Sequence, residues 1–142
     1  MARTLSAREA GTIRSLVAPD KFVLKGNDTV TDFNSIEGDS VDLTAVGAGD
    51  ALNFTAVTGT LNFSTAASGS KITAMATDAG ATLTGGSGND VLTGGAGNDA
   101  LIGGDGADTI TGGAGTDRIY AGNGNDLILG AVGTLQFDVV AH

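Results

Sequence analysis

The sequence predicts an all-β fold, a β-solenoid with short terminal caps and a candidate helix at the N-terminus. Three observations carry that prediction. Five nonapeptides follow one another without a gap over residues 85–129. Each has Leu or Ile at its eighth place, a phase that a flexible linker has no reason to keep. The residues before this array alternate in short β-type runs, such as Leu52-Asn53-Phe54, Leu61-Asn62-Phe63 and Ile72-Thr73-Ala74.

A longer aliphatic series joins the middle of the chain to the array: Val30, Val41, Leu52, Leu61, Ile72, Leu83, Leu92, Leu101, Ile110, Ile119 and Ile128. Its steps are 11 or 9 residues, the kind of period with which each repeat adds one strand to a stack. Four segments follow. Residues 1–20 are expected to form an arm or capping helix, with Ser6 and Glu9 at capping-box spacing, an apolar face of Ile13, Leu16 and Val17, and Pro19 as its stop. Residues 21–84 read as irregular solenoid rungs or a flanking β region. Residues 85–130 are the array, and 131–142 a capping strand or tail, with Leu135, Phe137 and Val139 on one face.

Composition narrows the function classes. The 142 residues carry 16 acidic against 7 basic side chains and a net charge of -9. Aromatic content is 4%, so such a surface meets phosphates with like charge and a nucleic-acid partner is not expected. Cations are the natural partners. There is no cysteine, which agrees with an extracellular bacterial protein held by metal in place of disulfides. No apolar run approaches the ~20 residues of a transmembrane helix, and no signal-peptide h-region is visible at the N-terminus. Export, if it occurs, is expected by a route without a cleaved N-terminal signal.

The repeats are GGSGNDVLT (85–93), GGAGNDALI (94–102), GGDGADTIT (103–111), GGAGTDRIY (112–120) and AGNGNDLIL (121–129). The sixth place is always Asp: Asp90, Asp99, Asp108, Asp117 and Asp126. The second and fourth places are always Gly. Glycine permits the backbone angles that a tight turn needs and leaves carbonyls open towards an ion. A hard cation such as calcium takes six to eight oxygens from carboxylates and carbonyls, more than one loop supplies but within reach of two stacked loops. A phosphate-binding glycine loop does not fit, because no Lys follows the glycines and each loop carries an Asp.

These motifs resemble the RTX family of secreted bacterial proteins, whose nonapeptides form a parallel β-roll. The resemblance implies two repeats per turn, with calcium between loops n and n+2. It pairs Asp90 with Asp108, Asp99 with Asp117 and Asp108 with Asp126, giving about three complete calcium sites and one or two partial ones. It also assigns carbonyls from the loop glycines Gly86, Gly88, Gly95, Gly97, Gly104, Gly106, Gly113, Gly115, Gly122 and Gly124. The preceding block, ATDAGATLT (76–84), has Ala81 in the aspartate's place, so no full site is expected there. Without cations the stacked aspartates repel, and the array is expected to fold only with calcium.

The flanks carry weaker resemblances. Val30-Thr31-Asp32-Phe33 and Asp39-Ser40-Val41-Asp42-Leu43 are similar to the segment that follows the repeats in RTX proteases, although here they come first. Asp28, Asp32, Asp39 and Asp42 are read as turn aspartates in preference to extra calcium ligands. Phe137-Asp138-Val139-Val140-Ala141 resembles the tail of proteins exported by type I secretion.

Catalysis is not expected: the one histidine is terminal, and no zinc-protease HExxH motif occurs. Places seven and nine should face outward, with Ile102 and Tyr120 as neighbours and Leu127 and Leu129 near one end. The expected function is a calcium-binding structural protein that assembles on an extracellular surface, an S-layer, matrix or virion. The alternatives are a folding and export module of a secreted enzyme or adhesin, and a calcium-dependent carbohydrate binder, for which no aromatic platform is visible.

Overall fold

The computed structural model describes residues 3–6, 12–13, 20–130 and 132–137. Every described element is a strand, and every ladder between them is parallel. In chain order they are β1 (Arg3–Ser6), β2 (Thr12–Ile13), β3 (Asp20–Val23), β4 (Thr29–Val30), β5 (Phe33–Asn34), β6 (Ser40–Asp42) and β7 (Ala51–Asn62). β8 (Lys71–Gly86), β9 (Val91–Thr93), β10 (Ala100–Asp105), β11 (Thr109–Thr111), β12 (Ala114–Asn123), β13 (Leu127–Leu129) and β14 (Val132–Phe137) follow. The parallel β-solenoid read from the repeats is therefore the fold.

The stack has two walls. One aligns Ile13, Val30, Phe54, Ala74, Leu92, Ile110 and Ile128. The other aligns Leu61, Leu83, Leu101, Ile119 and Phe137. The long strands β7 and β8 run through both walls. Place eight of every nonapeptide thus points inward, while places seven and nine face away; Ile102 does lie beside Tyr120. Burial of the inward side chains supplies the drive for stacking, at about 1.5–3 kcal/mol for each fully buried aliphatic.

The aliphatic series read from the sequence needs one correction. Leu52 and Ile72 pair with each other. The wall itself passes two residues on, through Phe54 and Ala74. Val41 instead pairs with Phe22 in a separate three-stranded sheet of β1, β3 and β6. The physical reason is turn length. Partners on the first wall lie 24 residues apart from Val30 to Phe54 and 20 from Phe54 to Ala74, settling at 18 only from there. Two register shifts in the β7–β8 ladder, around Val57, change the offset from 20 at Phe54–Ala74 to 22 at Leu61–Leu83.

The expected N-terminal helix is also corrected. Its described residues are β1 and β2. Ser6, read as an N-cap, pairs with Val23. Ile13 is buried and its carbonyl accepts the Thr31 amide at 3.1 Å, so these backbone groups bond to a neighbouring rung and not to their own helix. Glu9, Leu16, Val17 and Pro19 lie outside the described residues, as do residues 138–142 of the expected tail.

The core is uneven along the stack. Phe22, Phe33, Phe54 and Phe63 form a chain of ring contacts with centroids 6.0, 6.0 and 5.2 Å apart. Beside them Leu24, Leu52, Leu61 and Ile72 are fully buried. Beyond residue 85 the buried apolar side chains among the described residues are Leu92, Leu101, Ile110, Ile119 and Ala121, about one per rung.

Candidate metal centre

Each nonapeptide turns the chain through its glycines and then delivers its Asp at the mouth of the next strand. The register of 18 residues places that Asp beside the Asp two repeats away. The Asp108 carboxylate accepts the Asp90 amide at 2.8 Å, Asp117 accepts that of Asp99 at 3.0 Å, and Asp126 that of Asp108 at 3.0 Å. These are the three pairs expected from the sequence. Two further bonds extend the ladders backward: Asp90 accepts the Ile72 amide at 2.8 Å and Asp99 the Ala81 amide at 2.6 Å. Ala81 does stand in the aspartate column, as expected.

All of these bonds use Oδ1. The other carboxylate oxygen, Oδ2, of Asp90, Asp99, Asp108 and Asp117 is buried and has no hydrogen-bond partner. Leaving a buried acceptor unsatisfied costs about 1–3 kcal/mol, and more for a charged one. The repetition of the same orphaned atom on four rungs is a property of the motif.

What surrounds these atoms is informative. A Cβ built on Gly85 would collide with Asp90 Oδ2 and lie 2.7 Å from the Gly103 carbonyl oxygen. At Gly94 it would meet Asp99 Oδ2 and the Gly112 carbonyl, and at Gly103 Asp108 Oδ2 and the Ala121 carbonyl. A carboxylate oxygen from one loop and a carbonyl from the loop two repeats on therefore converge on Gly85, Gly94 and Gly103. These carbonyls were not singled out from the sequence. The signal was present in the doubled glycine that opens each repeat.

The second- and fourth-place glycines, whose carbonyls the sequence also offers to an ion, make room for the neighbouring backbone. Gly104 has a φ of +115°, and a Cβ on it would collide with the Gly86 carbonyl. Gly106, Gly113, Gly115, Gly122 and Gly124 stand over Gly88, Gly95, Gly97, Gly104 and Gly106 in the same way. Backbone stacks on backbone here, with no room for a side chain. Asn89 and Asn98, at place five, brace the loops by accepting the Ala107 and Thr116 amides at 2.9 and 2.8 Å.

Burial is the main reason that the Asp90 carboxyl is pushed up from 3.8 to about 6; the neighbouring Asp108 charge adds to it, against the Ile72 hydrogen bond and Lys71. Asp99 and Asp108 are raised in the same direction, again chiefly by burial, with Asp117 and Asp126 respectively adding like charge. Without a counter-ion these carboxylates resist ionisation. A divalent cation beside them reverses that balance.

Among the described residues, no three His, Cys, Asp or Glu side chains group together. Any ion here draws on one or two carboxylates plus backbone carbonyls, a donor set made only of oxygen. That suits calcium and does not suit zinc, which favours Cys and His. The residues present fit a calcium ion.

Of the four other aspartates, three are engaged by protein groups. Asp28 Oδ2 accepts the Lys25 amide at 3.0 Å. Asp39 accepts those of Asp20 and Asn34 at 2.9 and 3.0 Å, tying the small sheet to the solenoid. Asp42 pairs with Lys21 at 2.8 Å, which holds its carboxyl well below the usual range. Asp32 is exposed.

Residues 76–110 and 102–134 match the family model of the RTX calcium-binding nonapeptide repeat, in four copies. No curated protein and no solved structure matches the chain. The array thus matches the RTX calcium-binding repeat and folds as a β-roll, and residues 1–75 and 135–142 lie outside that match.

Proposed function

We propose that this chain, an RTX repeat array continued by a solenoid of other sequence, is a non-enzymatic structural protein that folds its roll on calcium and assembles on an extracellular surface. The observation that carries calcium-dependent folding is the set of four buried, unpartnered Oδ2 atoms, three of which, those of Asp90, Asp99 and Asp108, converge with loop carbonyls. Asp90, Asp99 and Asp108 would each hold an ion together with the carbonyls of Gly103, Gly112 and Ala121. Asp117 would contribute to a fourth. Calcium supplies the positive charge that lets these carboxylates ionise inside the stack. Extracellular modules bind calcium at about 10⁻⁴–10⁻³ M, so such a roll would stay open in the cytosol and close outside.

Support for assembly comes from β13, the last described strand on its wall, where Leu127 is 54% and Leu129 43% exposed. Exposed apolar side chains on a terminal strand invite a partner. The alternative, a module that helps a type I secreted enzyme or adhesin to fold and leave the cell, is favoured by the tail sequence Phe137-Asp138-Val139-Val140-Ala141. Equilibrium dialysis with calcium tests the first part. Three to four ions per chain are expected, and less than one would sink the reading. Sedimentation at high protein concentration with calcium tests the second; a single monomeric species there contradicts surface assembly by this chain.

A further inference from the structure

We infer that residues 20–84 form a template that stays folded without calcium, and that the roll builds onto it in order from Asp90 towards Asp126. The inference rests on the calcium reading above and goes beyond it, because it divides the chain into a part that needs the ion and a part that does not.

The division is written in the hydrogen bonds. In residues 20–84 the loop carboxylates of Asp28, Asp39 and Asp50 are satisfied by backbone amides of their own turn or of a neighbouring rung. Asp50 Oδ2 accepts the Gly26 and Gly47 amides at 3.0 and 2.7 Å, whereas Oδ2 of Asp90, Asp99, Asp108 and Asp117 in the array has no partner. Asp28 and Asp39 are satisfied by neighbouring amides as described, and Ser70 donates to the Ala67 carbonyl at 2.6 Å. Among the described residues, the one buried side-chain atom without a partner outside the array is Thr31 Oγ1. No described carboxylate of this part is left needing a cation.

Asp28 makes the contrast sharper, because it occupies the same column as the array's aspartates. Thr29 pairs with Asn53 and Lys71 with Ala51, which sets Asp28, Leu52, Ile72 and Asp90 in register. Asn27 accepts the Ala51 amide at 2.9 Å, as Asn89 does for Ala107. Residues 25–30, KGNDTV, are therefore a repeat-like loop in which an amide of the same turn engages Oδ2. Leu52 and Ile72 then replace the aspartate on the next two rungs with buried aliphatics. Core and charge change together, since the four-phenylalanine chain also lies in this part.

The direction follows from the two carboxylate ladders. Asp90 and Asp99 are anchored on Ile72 and Ala81, amides of the template. Asp108 and Asp117 are anchored on Asp90 and Asp99, and Asp126 on Asp108. Each later carboxylate is positioned by an amide that exists in place only after the earlier rung has formed. A nearest-neighbour stack with one stable end propagates from that end.

Hydrogen–deuterium exchange on the full chain, in chelator and at graded calcium, tests this. Amides of Ala51–Asn62 and residues 71–76 are expected to stay protected in chelator while Leu127–Leu129 exchange freely. At sub-saturating calcium, Val91–Thr93 and Ala100–Asp105 are expected to gain protection before Leu127–Leu129. Loss of protection along the whole chain in chelator would overturn the template while leaving calcium-dependent folding intact. Full protection of both parts in chelator would overturn the calcium reading and the template with it. Phe54→Ala, far from any carboxylate of the array, is expected to raise the calcium concentration at which residues 91–129 become protected by at least about tenfold. An unchanged midpoint contradicts the coupling.

Discussion

Replacing Asp90 by Asn separates the cost of its charge from the value of its hydrogen bond. The new side chain keeps an oxygen for the Ile72 amide, now accepted at 2.8 Å, and sets an amide group where the orphaned Oδ2 faces the Gly103 carbonyl. Asp90 is 1% exposed, and its carboxyl is raised from 3.8 to about 6. At pH 7 that shift of about two units corresponds to a penalty on the order of 3 kcal/mol on the metal-free fold. The neutral amide of the Asp90→Asn variant carries no such penalty, so D90N should show more β structure than the parent in chelator at pH 7. At pH 3.5, where the parent carboxyl is already neutral, the two should converge.

In calcium the sign reverses. A unit charge pair 4 Å apart at an effective dielectric of 20 is worth about 4 kcal/mol, so losing one carboxylate should weaken that site more than tenfold. Far-ultraviolet circular dichroism in chelator, paired with calcium dialysis, reads both effects. If D90N is less folded than the parent in chelator and binds calcium equally well, Asp90 is only a structural acceptor and the reasoning fails.

Further outcomes follow from the same geometry. A raised carboxyl stabilises the fold below its unfolded value and loses that contribution as pH rises through the folded one. The chelated parent protein should therefore gain β signal as pH is lowered from about 6 to 3.8, the window set by Asp90, while the calcium-loaded protein should lose calcium and β signal as protons compete for the carboxylates. Parallel titrations in chelator and in calcium check this, and signals that move together in both would refute it. Gly104→Ala should destabilise the roll by at least about 2 kcal/mol even in saturating calcium, because it adds a clash with the Gly86 carbonyl to an unfavourable φ. Gly26→Ala, at φ +62° with nothing within 4 Å, should cost only about 1–2 kcal/mol; equal melting shifts for the two would show that rung stacking is not what excludes the side chain.

The array was legible because its chemistry is local and repeated. A nine-residue period with Asp at one place and Leu or Ile at another fixes which residues face inward and which carboxylates stack, and each of those placements stands in the structure. The wall before residue 84 was less legible. Leu52 and Ile72 are as aliphatic as the true wall residues, and only the pairing partners reveal that Phe54 and Ala74 carry the stack. Their turns are longer than nine residues by variable amounts, which periodicity alone cannot resolve. The N-terminal segment misled for another reason. Ser6 and Glu9 have capping-box spacing, but β1 and β2 are held by partners 17 residues away in sequence, and a local reading weighs no such partner. The first-place carbonyls escaped notice because a backbone oxygen leaves no mark in the sequence beyond the glycine that makes room for it.

The central claim is that calcium, and not side-chain packing alone, holds residues 85–129 in a roll. The most direct measurement is far-ultraviolet circular dichroism on one sample of the full chain, taken through strong chelation and back into millimolar calcium. The β signal should fall on chelation to the part contributed by residues 20–84 and return when calcium is restored, with magnesium at the same concentration restoring much less. A spectrum that does not change on chelation would contradict the claim.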